Sequence, residues 1–164
     1  MRMLDIFLKE SNAIEGVYDE DSFNQAKLAW NYLVEQKELS ASVIMKTHKI
    51  LMLNQKLLPN EKGYFRTVSV CVGNRICMNP ASVSYGIDEW CGTIKKVITG
   101  YYQGTSSAKE LIQQDHIRFE KIHPFIDGNG RVGRMLMNWE RLKCGLPLLV
   151  IKEKEKKEYY EWFK

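Results

Sequence analysis

Apolar residues recur every three or four positions along most of the chain, which is the spacing of amphipathic helices. In the first predicted helix, over residues 3–15, the apolar positions are Leu4, Phe7, Leu8 and Ile14, and Gly16 marks its end. Further helices are predicted over about residues 22–34, 40–54, 82–100, 107–123, 130–145 and 153–163. The pattern therefore predicts a mainly α-helical bundle.

Local signals fix several ends of these helices. Ser107 and Glu110 have the spacing of a capping box at a helix start. The same helix must stop at His123, because Pro124 disfavours a helical conformation in the residue before it. We expect the apolar faces to point inward, and the residues of these faces include Val34, Ala108, Leu142 and three of the four tryptophans, Trp30, Trp90 and Trp139.

The pattern changes between Tyr64 and Met78, where β-branched residues alternate with small ones. Gly73-Asn74 lies between two such runs, which is typical of a β-hairpin turn. We predict one hairpin within about residues 64–79, with strands over 66–72 and 75–79. An isolated hairpin is marginal in water, so it must pack on the helices.

Composition narrows the classes of protein. The chain has 164 residues, of which 45% are hydrophobic, and this length suits a single domain over residues 1–164. The 24 basic and 20 acidic residues are interleaved, which does not favour nucleic-acid binding. There is no apolar run of membrane-spanning length. Four cysteines without metal-site spacing suggest reduced thiols and a cytoplasmic protein.

The stretch from His123 to Arg134 has the highest density of reactive side chains. Gly128 and Gly130 permit positive φ angles and close approach to the backbone. Amides at a following helix start would form an anion-binding nest. Arg131 and Arg134 are three residues apart on that helix, so they share a face behind the nest. Two arginines and a nest suit a polyphosphate.

A base and a metal ligand complete this stretch. His123 could accept a proton from an incoming hydroxyl group. Asp127 could hold Mg²⁺ against the phosphates, because Mg²⁺ takes one or two carboxylates together with phosphate oxygens. These residues predict transfer of a phosphorus-centred group from a nucleotide to a hydroxyl. Residue types alone leave a plainer alternative, a glycine-rich turn between helices with solvated arginines.

The stretch matches the signature of the Fic family, H-P-F-x-D-G-N-G-R-x-x-R, at every specified position. The resemblance also includes Gly63-Tyr64-Phe65-Arg66 before the hairpin, His116-x-x-Phe119-x-x-Ile122 before the motif and Gly145-Leu146-Pro147 after it. It covers about residues 40–160. The resemblance implies a Fic-fold helical bundle, with a core over about residues 40–150 and the hairpin as a flap.

Most members of the family transfer AMP to proteins, and the resemblance implies a role for each motif residue. His123 would deprotonate a Tyr, Thr or Ser hydroxyl that attacks the α-phosphate of ATP, while Asp127 would hold Mg²⁺, for which Mn²⁺ can substitute. The anion hole would consist of Gly128, Asn129 and Gly130. The roles implied for the remaining motif residues are a grip on the β-phosphate by Arg131, a contact with the γ-phosphate by Arg134, a hydrophobic anchor from Phe125 and a fixed turn from Pro124.

Residues 11–16 match a second family pattern, the inhibitory motif [S/T]-x-x-x-E-[G/N]. It lies on the first predicted helix, so residues 1–17 resemble an N-terminal inhibitory helix. Glu15 would form an ion pair with Arg134 and block the γ-phosphate position, and Ser11 would orient or cap the helix. The alternative is that Glu15 is a solvated residue at the end of a short helix.

The family resemblance implies an autoinhibited protein adenylyltransferase whose partners are ATP and a target protein paired to the flap, with self-modification expected and self-association left open. Two alternatives remain, a bifunctional or mainly AMP-removing Fic enzyme that uses Glu15, and a nucleotide-responsive module without catalysis. We predict that Asn138 contacts ribose. Tyr159 and Tyr160 either flank adenine or pack the last helix, and His48 and His116 are interpreted as structural.

Overall fold

A computed structural model describes residues 2–100 and 106–164, so Met1 of the predicted inhibitory segment lies outside the described residues. The described part contains seven α-helices, one short hairpin and two 3₁₀ turns. In chain order the elements are α1 (Met3–Ile14), α2 (Glu20–Val34), α3 (Ala41–Leu51), β1 (Cys71–Val72), β2 (Arg75–Ile76), a 3₁₀ turn (Pro80–Ser82), α4 (Val83–Ile98), α5 (Ala108–Ile122), α6 (Asn129–Lys143), a second 3₁₀ turn (Glu153–Glu155) and α7 (Lys156–Glu161). The predicted mainly α-helical class with one hairpin is confirmed.

Helix α6 is the centre of the bundle. It packs against all five preceding helices, and every residue from 131 to 141 is buried. A helix buried on all sides is normally apolar all round, yet α6 buries five polar or charged residues between 131 and 141. These are Arg131, Arg134, Asn138, Glu140 and Arg141. Because such burial is costly unless each group finds partners, this helix is where the bundle carries its polar chemistry.

The observed ends of several helices coincide with the capping residues in the sequence. The capping box at Ser107 and Glu110 is present in both directions, and α5 ends at His123 as predicted. Asp19 caps α2 through its carboxylate and Ser40 caps α3 through its hydroxyl, because both side chains accept a bond from an amide three residues on. Short-range signals therefore set most of the boundaries of the helices.

The hairpin is shorter than predicted. Antiparallel pairing joins Cys71 to Ile76 and Val72 to Arg75, with the predicted turn at Gly73-Asn74. One further bond, from the Cys77 amide to the Val70 carbonyl, extends the pairing. The rest of the predicted strands is held to the helices instead, since the Met78 amide bonds to the Lys121 carbonyl on α5. The β-branched pattern predicted extended backbone correctly but not its partner.

Three residues predicted to face the core do not. Val34 and Leu142 are 37% and 44% exposed, and Ala108 is also exposed. All three lie in the first or last turn of their helices, where the apolar stripe extends beyond the neighbouring helix. The three tryptophans are buried as predicted. No helix among residues 2–100 and 106–164 is long and apolar enough to cross a membrane, and the cytoplasmic location stays a prediction.

Two carboxyl groups are buried between the neighbouring helices α5 and α6. Asp115 and Glu140 are 3% and 1% exposed, and one oxygen of each has no hydrogen-bond partner among the described residues. Burial raises the pKa of both groups, and the nearby Asp115 raises that of Glu140 further. Arg118 lies 3.5 Å from Asp115 and offsets part of the effect. The pair favours a protonated state in the folded protein.

This carboxyl pair predicts that the protein loses stability as pH rises. Folded protein keeps a proton on Glu140 that the unfolded chain releases above its ordinary pKa of 4.5, so the free energy of unfolding falls from that pH upwards. Glu140→Gln should flatten this slope and raise the melting temperature at pH 8 by about 2–4 °C. Melting curves recorded between pH 5 and pH 8 measure the pH slope and the melting temperature at pH 8, and the exposed Glu35→Gln is the control. Parallel curves for the two variants would rule out the account.

Candidate active site

The connection between α5 and α6 has an unusual backbone. His123 has φ 50° and ψ 64°, and it is the one non-glycine residue with positive φ in the described chain. Such a conformation is sparsely populated for residues with a side chain and persists only where the surroundings enforce it. It turns the chain out of α5 at Pro124. The His123 side chain is 18% exposed and lies at the surface of a cavity.

Arg66 is what enforces this conformation. The residue is 3% exposed, and its guanidinium donates to four main-chain carbonyls. Two of these belong to the end of α5, His123 at 2.7 Å and Ile122 at 3.1 Å, and two belong to the hairpin segment, Val68 at 2.8 Å and Met78. Arg66 therefore binds the hairpin and the His123 backbone into one unit.

A second support lies beneath the loop. The ring of Phe125 is fully buried and stacks on His48 with the centroids 3.7 Å apart. His48 donates from Nε2 to the Asp127 carbonyl and accepts at Nδ1 from the Gly63 amide. Burial lowers the pKa of His48 to about 4, so the ring is neutral and this tautomer is fixed. The predicted hydrophobic anchor is thus present, and His48 is structural.

The glycines and Asn129 have distinct parts in the loop. Gly128 has φ 81° and caps the start of α6, whereas Gly130 is helical, so only Gly128 uses the positive φ that both glycines permit. Gly130 is needed for space, because an added Cβ would collide with the Glu15 carboxylate. The Asn129 side chain braces the loop by bonding both the amide and the carbonyl of Phe125.

Arg131 has the free donors that a phosphate would need. It is 2% exposed, and Nη2 contacts the sulfur of Met52 at 3.2 Å. Its Nε and Nη1 have no partner among the described residues. Buried donors are normally satisfied, so an unpaired buried guanidinium beside a nest of amides fits an anion that the protein binds.

The N–H donors of Arg134 are bonded to residues at the end of α1 and to one tyrosine of α7. Nε donates to the Ser11 hydroxyl at 2.9 Å, and Nη2 donates to the Ser11 carbonyl at 2.9 Å and to the Glu15 carboxylate at 2.7 Å. Nη1 donates to the Tyr159 hydroxyl at 3.3 Å. Burial lowers the pKa of Arg134, but Tyr159 and Glu15 outweigh that effect and raise it. The predicted contact between Glu15 and Arg134 is present, and its inhibitory role stays a prediction.

A cavity of about 790 Å³ lies between the end of α1, the hairpin, the starts of the loop and of α6, and α7. The lining residues that matter to the chemistry are Glu15, Arg75, His123, Gly130, Arg134 and Tyr160. Arg75 comes from β2 of the hairpin, and its Nε and Nη1 have no partner among the described residues. The wall of the cavity thus contains a possible base, His123, the unpaired donors of Arg75, the donors of Arg134 that now bond Glu15, and the edge of the hairpin. This combination suits an anionic ligand and a peptide.

The residues predicted to contact ribose and adenine are Asn138, Tyr159 and Tyr160, and the structure places them differently with respect to the cavity. Asn138 is fully buried, and its amide bonds the carbonyl and amide of Leu149, so it does not line the cavity as the predicted ribose contact requires. Tyr159 is buried, with its hydroxyl between Arg134 and Nε2 of His116 at 2.8 Å, and it also lines the cavity, so it packs as predicted while a contact with adenine stays a prediction. Tyr160 is 40% exposed at the cavity.

Asp127 is placed to accept a cation. Its side chain is exposed, and Oδ1 accepts a bond from the Gly128 amide at 2.7 Å. No cluster of three or more His, Cys, Asp or Glu side chains suitable for a metal exists among the described residues. A single carboxylate beside a phosphate nest is nevertheless the protein contribution that Mg²⁺ commonly needs, because the phosphate oxygens and water complete its shell. Asp127 fits such an ion by its chemistry, and it lines a separate cavity with Asp19 and Asp21 instead of the 790 Å³ cavity.

The sequence profile of the Fic/DOC family matches residues 38–140, which is more than half of the chain and includes the whole loop. The chain belongs to the Fic/DOC family. Its relatives include the protein adenylyltransferase Fic of Drosophila erecta, 29% identical over 132 residues, and that of Drosophila melanogaster, 29% identical over 136 residues. These matches cover 80% and 78% of the chain but only 26% and 27% of the relatives. This Fic/DOC chain thus spans about a quarter of their length.

Solved structures share the fold. A Fic-domain signalling protein from Bacteroides thetaiotaomicron superposes with a TM-score of 0.79 at 19% identity, covering 96% of this chain and 70% of the other. Fic-1 from Caenorhabditis elegans superposes with a TM-score of 0.80 at 22% identity, covering 98% and 55%. At these identities the likeness concerns the fold, and it includes the helix α1 that lies outside the profile match.

Two residues of the site had no predicted role. Arg66 was part of the recognised segment before the hairpin, but its four carbonyl partners are set by tertiary structure. Arg75 lies beside the turn of the hairpin, where a charged residue is common, and nothing local marked it as lining a cavity. The signal that could have found Arg66 is the position of an arginine where an otherwise apolar strand begins.

Arg66 yields a test of the support for the loop. Arg66→Lys keeps a charge but cannot reach four carbonyls with one ammonium group. We expect a stability loss of about 2–4 kcal/mol. Amide hydrogen exchange at Cys77 and Met78 should also be faster in this variant than in the parent protein. Exchange in the α2 and α3 helices should increase less. Exposed Lys46→Arg is the control. Unchanged exchange in the hairpin would contradict a joining role for Arg66.

Proposed function

We propose that the chain is a protein adenylyltransferase that transfers AMP from Mg²⁺-bound ATP to a Tyr, Thr or Ser hydroxyl of a protein. The observation that carries the proposal is the cavity that His123, Gly130 in the first turn of α6 and the buried Arg134 line together. A base, an anion nest and buried arginines are what nucleotidyl transfer needs. The names of the Drosophila relatives support the same reaction class.

In the proposed reaction the hydroxyl oxygen forms a bond to the α-phosphorus of ATP. The bond from that phosphorus to the bridging oxygen breaks, and pyrophosphate leaves. His123 accepts the hydroxyl proton. The amides of Asn129 and Gly130 bind the phosphate oxygens, whereas the Gly128 amide, which was also predicted for the anion hole, is bonded to Asp127. Arg131 binds near the β-phosphate with its free donors, and Arg134 binds the γ-phosphate once Glu15 has moved away.

Asp127 would hold Mg²⁺, or Mn²⁺ in its place, together with phosphate oxygens of the nucleotide. The ion supplies charge neutralisation and polarisation of the phosphate group. The protein's own part is to keep the Asp127 carboxylate at the loop entry. The bond from the Gly128 amide fixes one carboxylate oxygen there, and His48 holds the main chain of the same residue.

The hairpin would bind the target protein. Among residues 2–100 and 106–164, the β1 and β2 strands pair only with each other, over four residues, so strand edges remain for an added peptide strand. Val68, Val72 and Ile76 are 53%, 43% and 76% exposed on the same segment and would pack on that peptide. The chain's own exposed tyrosines are candidates for self-modification.

The α1 helix would act as the inhibitor in this proposal. The Glu15 carboxylate lies 2.7 Å from Arg134 Nη2 and beside Gly130, so it occupies the space where a γ-phosphate would bind. ATP then binds without its terminal phosphate in place, and the α-phosphate is not aligned for attack. The Glu15 side chain is 34% exposed, so it can swing into solvent without unfolding the bundle.

Removal of the carboxylate tests both parts of the proposal. Glu15→Gly should raise transfer of label from α-³²P-ATP to the protein or to a cell lysate by at least about 10-fold, because one blocked phosphate position costs roughly 1.4 kcal/mol. The double variant Glu15→Gly, His123→Ala should transfer no label, because it lacks the proposed base. The exposed Glu35→Gln is the control.

The outcomes of this assay separate the claims. Equal transfer by the parent protein and Glu15→Gly, with both folded, would refute inhibition by Glu15 while leaving the transferase proposal intact. Absence of transfer by both, across a broad lysate, would refute the transferase proposal and favour a nucleotide-responsive module without catalysis.

A second candidate activity is removal of AMP from a modified protein. The observation in its favour is that the Glu15 carboxylate and His123 line the same cavity. Glu15 could there activate a water molecule for attack on the phosphodiester. A target AMPylated beforehand should then lose AMP in the presence of Mg²⁺ or Mn²⁺ with the parent protein and about 10-fold more slowly with Glu15→Gly. Equal loss with both proteins would exclude Glu15 from this role.

A further inference from the structure

A buried carboxylate lies directly behind the proposed base. Glu120 is 9% exposed and lies in the last turn of α5, three residues before His123, which follows the end of the helix with a left-handed backbone. The distance from Glu120 Oε2 to His123 Nδ1 is 3.7 Å. Neither His123 Nδ1 nor the other Glu120 oxygen has a hydrogen-bond partner among the described residues.

The fold makes room for this carboxylate. Gly133 on α6 faces it, and a Cβ added at Gly133 would lie 2.6 Å from Glu120 Oε1 and 3.0 Å from His116 Cε1. Any larger residue at this position would displace the carboxylate or the helix. Arg75 donates to the main-chain carbonyl of Glu120, at 3.3 Å, which leaves the side chain to the histidine.

The charge on Glu120 is maintained by its neighbours. Burial raises the pKa of Glu120, but the contact with His123 and the charge of Arg134 lower it, and the pKa lies below its ordinary value. His116 is itself neutral, because burial lowers its pKa to about 4. The only ion pair within 4 Å recorded for Glu120 in the described chain is the one with His123. A buried anion without a lysine or arginine partner is costly, which points to a role beyond stability.

We infer that Glu120 is a positioning residue that holds His123 in the tautomer with hydrogen on Nδ1. An anion at Nδ1 favours Nδ1–H, as carboxylates paired with catalytic histidines do in other enzymes. Nε2 then carries the lone pair and faces the cavity. The same anion stabilises the imidazolium formed when Nε2 accepts the hydroxyl proton. The catalytic consequence rests on the proposed function, whereas the tautomer does not.

The tautomer can be measured directly. The chain contains three histidines, His48, His116 and His123, so nitrogen-15 NMR of the side chains at neutral pH resolves each one. We expect His123 to be protonated at Nδ1 in the full-length protein. Replacement of the carboxylate by an apolar side chain of similar length, in Glu120→Met, should shift His123 to the Nε2–H form that a free imidazole prefers. Nε2–H in the unsubstituted protein would overturn the inference without any variant.

Activity provides the second readout, in the Glu15→Gly background. Glu120→Met and Glu120→Gln should lower kcat by about 100-fold with the KM for ATP changed less than about 2-fold, and Glu120→Asp should recover part of the loss. Exposed Glu35→Gln should change neither. A kcat within about 3-fold of the parent for Glu120→Met would overturn the inference. If Glu15→Gly itself lacks transfer, the proposed function fails, and the NMR measurement still decides the role of Glu120.

Discussion

The contact between Arg134 and the first helix is the interaction on which the arrangement of the site depends. A fully buried guanidinium is expensive unless every donor is used, and here four acceptors surround it. Two come from Ser11, one from Glu15 and one from Tyr159. Arg134 thereby ties α1 and α7 to the central helix α6. The same guanidinium is the group that a terminal phosphate would need.

The residues that supply the four acceptors differ in how exposed they are to solvent. Ser11 and Tyr159 are each 3% exposed, whereas the Glu15 side chain is 34% exposed and follows the last turn of α1. An anionic ligand that competes for Arg134 therefore needs to displace only Glu15, and solvent can receive the displaced carboxylate. Ser11 and Tyr159 would keep the guanidinium in place meanwhile. The geometry suits a reversible block better than a permanent one.

The loop behind this contact is held rigid from several directions. Arg66 fixes the carbonyl of His123, Asn129 bridges the backbone of Phe125, and His48 supports Asp127. Catalysis of phosphoryl transfer relies on position and fixed charge. A left-handed histidine backed by a carboxylate and clamped by an arginine is consistent with that requirement, because little reorganisation remains for the reaction itself.

Much of this molecule follows from local sequence. Helical spacing and the capping box at Ser107 set the helices, and the density of reactive residues after His123 located the site. What local patterns missed depends on distant partners. Asn138 has the right spacing from Arg134 to reach a ligand, but the segment at Leu149 crosses over it and takes both of its amide atoms. Arg66 and Glu120 were overlooked for the same reason, since their roles come from the packing of separate elements.

Nucleotide affinity tests the competition for Arg134 most directly. If Glu15 occupies the γ-phosphate position, the parent protein should bind ATP no more tightly than ADP. With Glu15→Gly, ATP should bind about 10-fold more tightly than ADP, a difference of roughly 1.4 kcal/mol. Isothermal titration of both nucleotides with Mg²⁺ measures the two ratios, and no transfer needs to occur. The same ratio of ATP to ADP affinity in both proteins would contradict the account.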